Sequence, residues 1–382
     1  GNVALVLGAG NVSSIGPLDV VYRLFVENEV CILKMNPVNE YLGPLIEEAF
    51  KVLIDNDFVR VVYGGAEVGG HLCTHHGVDT IHITGSDRTH DAIVWGTGAE
   101  QAERKAAGTP LNTKPITSEL GCVTPLIIVP GQWSAADLAF QAANVATMVA
   151  NNGSFNCNAA KLLVLHDGWS QRKQFLAAVE DALKSAPARR AYYPGAFDRY
   201  KQFTDAHPDA KKVGASTDDS VVPWTIISEI PYDSDDMAFS TEAFCGVLCD
   251  TAVPGNDGAD FLKNAVDFVN DKVWGTLSAS VIIHPKTQKL AVMAQALEQA
   301  LADMRYGTIV VNHWAGLGYG LGVTTWGAYP GHTLDDIQSG RGVVHNTFLF
   351  SKPQKTIIRG PFKVAPKPPW FVTNKRTHIT GR

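Results

Sequence analysis

Val3-Ala4-Leu5-Val6-Leu7 runs into Gly8-Ala9-Gly10 and then into an amphipathic stretch over about 16–27. A five-residue apolar run closed by glycine, with no polar alternation, is the pattern of a strand buried on both faces of a parallel sheet. The unit recurs as strand 30–34 with helix about 40–55, strand 59–63 with a short helix 67–76, and strand 80–84 with helix about 87–107. Apolar runs alternating with helical segments predict βαβ crossovers and a doubly wound sheet. A second series opens after Glu119-Leu120-Gly121 with strand 126–129, helix 134–151, strand 161–165 and helix 169–184. Later strands fall near 224–229, 246–250, 279–284 and 308–312, with helices 258–271 and 286–304 among them.

From about residue 314 the texture changes to glycine, aromatic residues and proline, ending in a tail that holds Pro366, Pro368 and Pro369. Such a tail reads as a connecting or subunit-contact arm. The expected division is 1–121, 122–345 and an arm over 346–382. Because the chain begins at Gly1, without Met, directly in a buried-strand pattern, a preceding N-terminal portion is expected to be absent.

Among 382 residues, 45% are hydrophobic and 18% charged, the balance of a globular chain able to build one or two cores. The net charge of −6 is spread out, apart from a mildly basic end (Lys363, Lys367, Lys375, Arg376, Arg382). That excludes an electrostatic footprint for nucleic acid or for an anionic membrane. No uncharged apolar run approaches the ~18 residues of a membrane span. The six cysteines form no CxxC pair, so the pattern argues against a zinc knuckle or disulfide framework and for reduced thiols in the cytoplasm.

Several short elements carry chemistry. Asn11 lies in the Gly-rich turn, 23 positions before Lys34, the last residue of Cys31-Ile32-Leu33-Lys34. A lysine at the C-terminal end of a parallel strand faces the crevice where such sheets bind ligands. Tyr63-Gly64-Gly65 and Ile83-Thr84-Gly85-Ser86 each join a strand to a helix, the arrangement that receives phosphates on backbone N–H groups. Further on stand Thr117-Ser118-Glu119-Leu120-Gly121, Ser154-Phe155-Asn156-Cys157 and Thr241-Glu242-Ala243-Phe244.

In order and spacing these elements resemble the aldehyde dehydrogenase superfamily over nearly the whole chain. The resemblance implies an α/β fold of two Rossmann-like doubly wound domains with mainly parallel sheets. It implies Cys157 as nucleophile, Glu119 as the base that activates water, and Asn11 as an oxyanion donor. It also implies cofactor contacts from Lys34, Gly65, Gly85, Ser86, Leu120, Glu242 and Phe244 to NAD or NADP. The partners implied are a small aldehyde and a second copy of the chain, with no metal. The chain departs from the family pattern at Pro37, His90, Cys122 and Cys245-Gly246. In an ungapped register Asn156 rather than Cys157 takes the nucleophile's place; a shift of one restores the cysteine. A helix start or nearby donor is expected to lower the pKa of the Cys157 thiol. Two other readings stay open: a non-catalytic dinucleotide-binding scaffold, and an enzyme that passes the acyl group to coenzyme A. Trp314, Trp326, Tyr319 and Phe155 suggest an aromatic-lined tunnel.

Overall fold

A computed structural model describes residues 1–214, 216–376 and 379; Arg382 and the rest of the tail lie outside the described residues. The chain divides into two compact units, residues 1–121 with 322–354, and residues 122–321 with 355–382.

The first unit is built on a six-stranded sheet in the order Gly340–Arg341, Ile116–Glu119, Thr80–Thr84, Val3–Leu7, Val30–Lys34, Val59–Val62. All pairs are parallel except the one that Gly340–Arg341 makes with Ile116–Glu119. The order reverses between Val3–Leu7 and Thr80–Thr84, a switch point whose crevice opens at the C-terminal ends of the strands. Val3–Leu7 sits in mid-sheet because Ala4, Leu5 and Val6 carry no group that needs water, and all three are fully buried. One face packs Val20, Cys31, Leu33, Met35 and Ile46; the other packs Leu5, Cys73, Val78 and Ile81.

The second unit has eight strands in the order Thr356–Arg359, Thr308–Val311, Ser278–Ile282, Pro125–Ile128, Leu162–His166, Val247–Val253, Trp224–Pro231, Lys211–Val213. Only the last pair is antiparallel. Helices Ala135–Ala150 and Arg172–Lys184 cover one face, around Trp133, Trp169 and Phe175. Ser134 and Asp137 close the first of these helices with a capping box. The crevice at this sheet's own switch point, between Pro125–Ile128 and Ser278–Ile282, is filled: Phe362 lies edge-on to His284 and Trp133, and Lys363 pairs with Asp137.

Several features differ from expectation. The stretch 322–354, expected to belong to the second domain and the start of an arm, returns to the first unit and supplies the strand Gly340–Arg341. The rest of the expected arm contributes the strand Thr356–Arg359 to the second sheet. The single helix expected over 87–107 is two, Asp87–Trp95 and Ala99–Ala107, because Gly96 and Gly98 both take positive φ. Helix Ala196–Ala206, which follows the left-handed Gly195, is an addition to the expected elements.

Candidate active site

In the first unit the predicted residues gather along the C-terminal edge of the parallel strands. The half-buried Asn11 lies between strand Val3–Leu7 and helix Ile15–Phe25, whose N-cap is Ser14. Its turn is braced: the Asn39 amide donates to the Ala9 carbonyl at 2.9 Å. A Cβ on Gly10 would lie 2.6 Å from the Asn36 side-chain oxygen, so any larger residue there would have to displace that side chain. Lys34 ends its strand at 7% exposure, and burial pushes its ammonium below the usual lysine range against the pull of Glu40 and Cys73.

Gly65 is the N-cap of helix Ala66–Thr74, and no protein atom lies within 4 Å of where its Cβ would stand. Ser86 caps helix Asp87–Trp95, its Oγ accepting from the Thr89 N–H at 3.1 Å. Gly85 donates its N–H to the Glu119 carbonyl at 3.0 Å. His90, at one departure from the family pattern, is fully buried, and burial pushes its imidazole below the usual histidine range, against the opposing pull of Asp91.

Glu119 is buried at the end of strand Ile116–Glu119, its backbone clamped from both sides. Gly340 pairs beside it with φ +117°, and a Cβ there would meet the Ser118 carbonyl oxygen at 2.0 Å. Leu120 donates to the Ser339 carbonyl at 2.8 Å, while the Ser339 hydroxyl donates to the Gly121 carbonyl at 2.7 Å. A two-residue strand more than 200 positions away leaves no periodicity to read, so this support has no sequence signal.

In the second unit the candidates lie at the opposite, N-terminal edge of the strands. Helix Ala135–Ala150 ends in a left-handed turn, with φ of 54°, 68° and 70° at Asn152, Gly153 and Ser154. The chain then passes through Cys157 into strand Leu162–His166. Cys157 therefore follows a helix C-terminus and does not begin a helix, so the expected helix-start effect on its thiol is absent.

The loop is held by donors to its carbonyls. Thr124 Oγ1 reaches Cys157 O at 3.0 Å, Trp314 Nε1 reaches Asn158 O at 2.8 Å, and Lys161 Nζ reaches Asn156 O and Ala159 O at 3.0 and 2.9 Å. Asn156, 5% exposed, bonds to Asn151 and Asn152. Lys161 also faces Glu242 at 3.3 Å; burial pushes the Glu242 carboxyl above the usual carboxylate range, with the Lys161 ammonium opposing. Phe244, at φ +41°, stands edge-on to Tyr193 and near Phe155.

Of the residues suggested for an aromatic tunnel, Trp326 is a buried core residue of the first unit, and Phe155 is fully buried under Tyr192 and Tyr193. Lys161, Thr124 and Trp314 were not foreseen as supports of the loop. A lysine just before an apolar run could have signalled the first. Among the described residues no group of three or more His, Cys, Asp or Glu is placed to hold a metal ion, and no helix is long and apolar enough to cross a membrane.

The aldehyde dehydrogenase family model matches residues 20–204, just under half of the chain. No curated protein sequence matches. Among solved structures, an indole-3-acetaldehyde dehydrogenase complexed with NAD+ is 21% identical at TM-score 0.67, over 90% of this chain and 64% of its own. An aldehyde dehydrogenase from Pseudomonas aeruginosa is 22% identical at TM-score 0.67, again over 90% and 64%. One from Mycobacterium tuberculosis, complexed with NAD+, is 19% identical at TM-score 0.67, over 90% and 65%. The chain thus spans about two thirds or slightly less of the length of these proteins. Residues 20–204 are thus similar to the aldehyde dehydrogenase family, and the chain has the fold of these solved structures.

Proposed function

We propose that the chain oxidises an aldehyde to a carboxylic acid with NAD(P)+ through a thioester on Cys157. The observation that carries this reading is thiol access: Cys31, Cys73, Cys122, Cys245 and Cys249 are buried, and Cys157 is only half-buried. Burial pushes the Cys31 and Cys245 thiols up to about 12 and that of Cys73 to about 11, and it holds Cys249 well above its ordinary value. Those four stay protonated at neutral pH, whereas a nucleophile must be a thiolate. The Asn156 amide is engaged with its neighbours, which favours the register that puts Cys157 in the nucleophile's place.

In this mechanism the Cys157 thiolate attacks the carbonyl carbon, and the π electrons move to oxygen. The Asn11 amide donates to that oxyanion, an interaction of about 3–4 kcal/mol in comparable sites. The bound cofactor supplies the acceptor for the two electrons and hydrogen that leave the carbon, so that a thioester remains. Glu119 takes a proton from water, the hydroxyl attacks the thioester, the C–S bond breaks, and the thiolate returns.

The donors present suit a dinucleotide. The Lys34 ammonium and the helix start at Ser86 lie at the C-terminal edge of the first sheet, and the space over Gly65 is free of protein atoms. Lys34, Gly65, Gly85, Ser86 and Leu120 would hold it there, with Glu242 and Phe244 at the nicotinamide end. Several of the similar solved structures are complexes with NAD+. A cytoplasmic homo-oligomer is part of the same proposal, its contact supported by the exposed Phe348, Leu349 and Phe350.

Cys157→Ala is expected to abolish turnover while cofactor still binds, and Glu119→Gln to release one equivalent of NAD(P)H in a burst and then stall. Wild-type turnover by Cys157→Ala would remove the nucleophile. A steady rate by Glu119→Gln that requires coenzyme A would replace hydrolysis with acyl transfer.

A further inference from the structure

A recess in the second unit is lined by none of the residues assigned to this chemistry. It is open to solvent, offers about 380 Å³ and is lined by Asn152, Gly153, Ala188, Arg189, Arg190 and Tyr192. That volume lies within the range of small-molecule sites. One wall is the left-handed turn that precedes Cys157; the other is the segment between helices Arg172–Lys184 and Ala196–Ala206. The second wall is fixed in place. Ala191 donates its N–H to the Ser220 carbonyl at 2.7 Å, Arg190 bridges to Val221, and the Tyr192 hydroxyl donates to Asn152 Oδ1 at 3.1 Å. The Tyr192 ring stands edge-on to Phe155 at 5.0 Å.

The lining includes two adjacent arginines, both exposed, and no carboxylate, in a chain whose net charge is −6. Among the described residues neither arginine has a carboxylate within ion-pair distance; Asp218 feels the charge of Arg190, and its carboxyl is held low chiefly by Ser220. Adjacent arginines suit the several acceptor oxygens of a phosphate or carboxylate, while the Asn152 amide and the Tyr192 hydroxyl are engaged in bonds to the loop.

We propose that this recess is a binding site for a small phosphate- or carboxylate-bearing molecule. The anion lies against Arg189 and Arg190, and Tyr192 passes its presence to Asn152 and the loop that leads to Cys157.

Isothermal titration of the protein with inorganic phosphate, and separately with succinate, at ionic strength held constant with chloride, tests this without turnover. The dehydrogenase reading is therefore untouched by the outcome. Saturable binding is expected, weakened at least about tenfold in Arg189→Gln/Arg190→Gln, whose melting temperature should match the wild type. Arg189→Lys/Arg190→Lys should bind at an intermediate level, because the charge remains and the fork is lost. Response to phosphate alone assigns the site to phosphoryl groups, and response to succinate alone to carboxylates. Absence of saturation with both ligands, or wild-type affinity in the double glutamine variant, overturns the proposal.

Discussion

Replacing Lys161 with methionine tests how the candidate nucleophile is held. The Lys161 side chain is 2% exposed, and its ammonium serves three acceptors: the carbonyls of Asn156 and Ala159, and the Glu242 carboxylate. Methionine keeps most of the stem volume, so the loss is mainly electrostatic. Hydrogen bonds to a charged donor contribute about 1.5–3 kcal/mol each, and stranding one partner of a buried ion pair costs about 3–5 kcal/mol. One ammonium makes all three contacts, so the terms do not add. Glu242, already pushed above the usual carboxylate range, can relieve part of the penalty by taking a proton. The expected cost to the second unit is therefore about 3–5 kcal/mol, a large share of a typical domain's stability.

Glu242→Gln leaves Lys161 its two carbonyls and should cost about 1–2 kcal/mol. The double variant should be less unstable than the sum by at least about 1 kcal/mol. Urea unfolding followed by tryptophan fluorescence reads the energies, and iodoacetamide labelling of Cys157 reads the freed loop, which should react faster. A loss under about 1 kcal/mol for Lys161→Met, or a double-variant cycle additive within about 0.5 kcal/mol, would refute the reasoning.

Other expectations follow from single positions. Gly340→Ala should cost the first unit more than about 2 kcal/mol, since the new Cβ would collide with the Ser118 carbonyl; Gly98→Ala, with positive φ but open space, should cost about 1 kcal/mol. Equal losses in urea melts would remove the steric argument. At the helix start, burial works to raise the Asp137 carboxyl, but the hydrogen bonds from Lys363 and Ser134 win and hold it well below the usual carboxylate range. A depressed folded pKa gives stability that is present above the unfolded value of about 3.9 and lost as pH falls through the folded value. Asp137→Asn should therefore cost about 1–2 kcal/mol at pH 7, a deficit that shrinks below about pH 4. A deficit constant down to pH 2 would contradict the assignment.

Val3–Leu7 and Val30–Lys34 were legible because each is a short, largely apolar run stopped by Gly or Lys. Lys34, Gly85 and Glu119 all fall at strand ends. The second unit was harder to read because the crevice rule points to the wrong edge: its C-terminal crevice is closed by Phe362 and Lys363, and the candidates lie before the strands. Residues that support through long-range pairing, such as Ser339 and Gly340 beside Glu119, cannot be found by spacing at all. Glycine pairs were more informative than they were read to be, since Gly96 and Gly98 break a helix that the periodicity continues through.

The deepest failure of pattern reading lies under helix Ile15–Phe25. Asp19 and Arg23, four apart, form a polar stripe that would ordinarily face water. Thr80, His82 and Thr84, two apart, form a polar stripe on one face of their strand. Each stripe alone reads as a solvated face, yet Asp19, Arg23, His82 and Thr84 are all less than 9% exposed. They pair with one another: Thr84 donates to Asp19 at 3.2 Å, His82 Nε2 lies 3.5 Å from Asp19, His82 Nδ1 lies 2.9 Å from Thr117 Oγ1, Arg23 pairs with Glu29 at 3.2 Å and also donates to Thr117, and Thr80 donates to Glu29 at 2.9 Å. A one-residue slip of the strand would turn all three of its polar groups to the other face, leaving the buried Asp19 and Glu29 without these donors, a cost of several kcal/mol. Burying the two stripes against each other therefore fixes the register of the helix on the sheet more sharply than apolar packing could. That register in turn fixes the turn that carries Asn11.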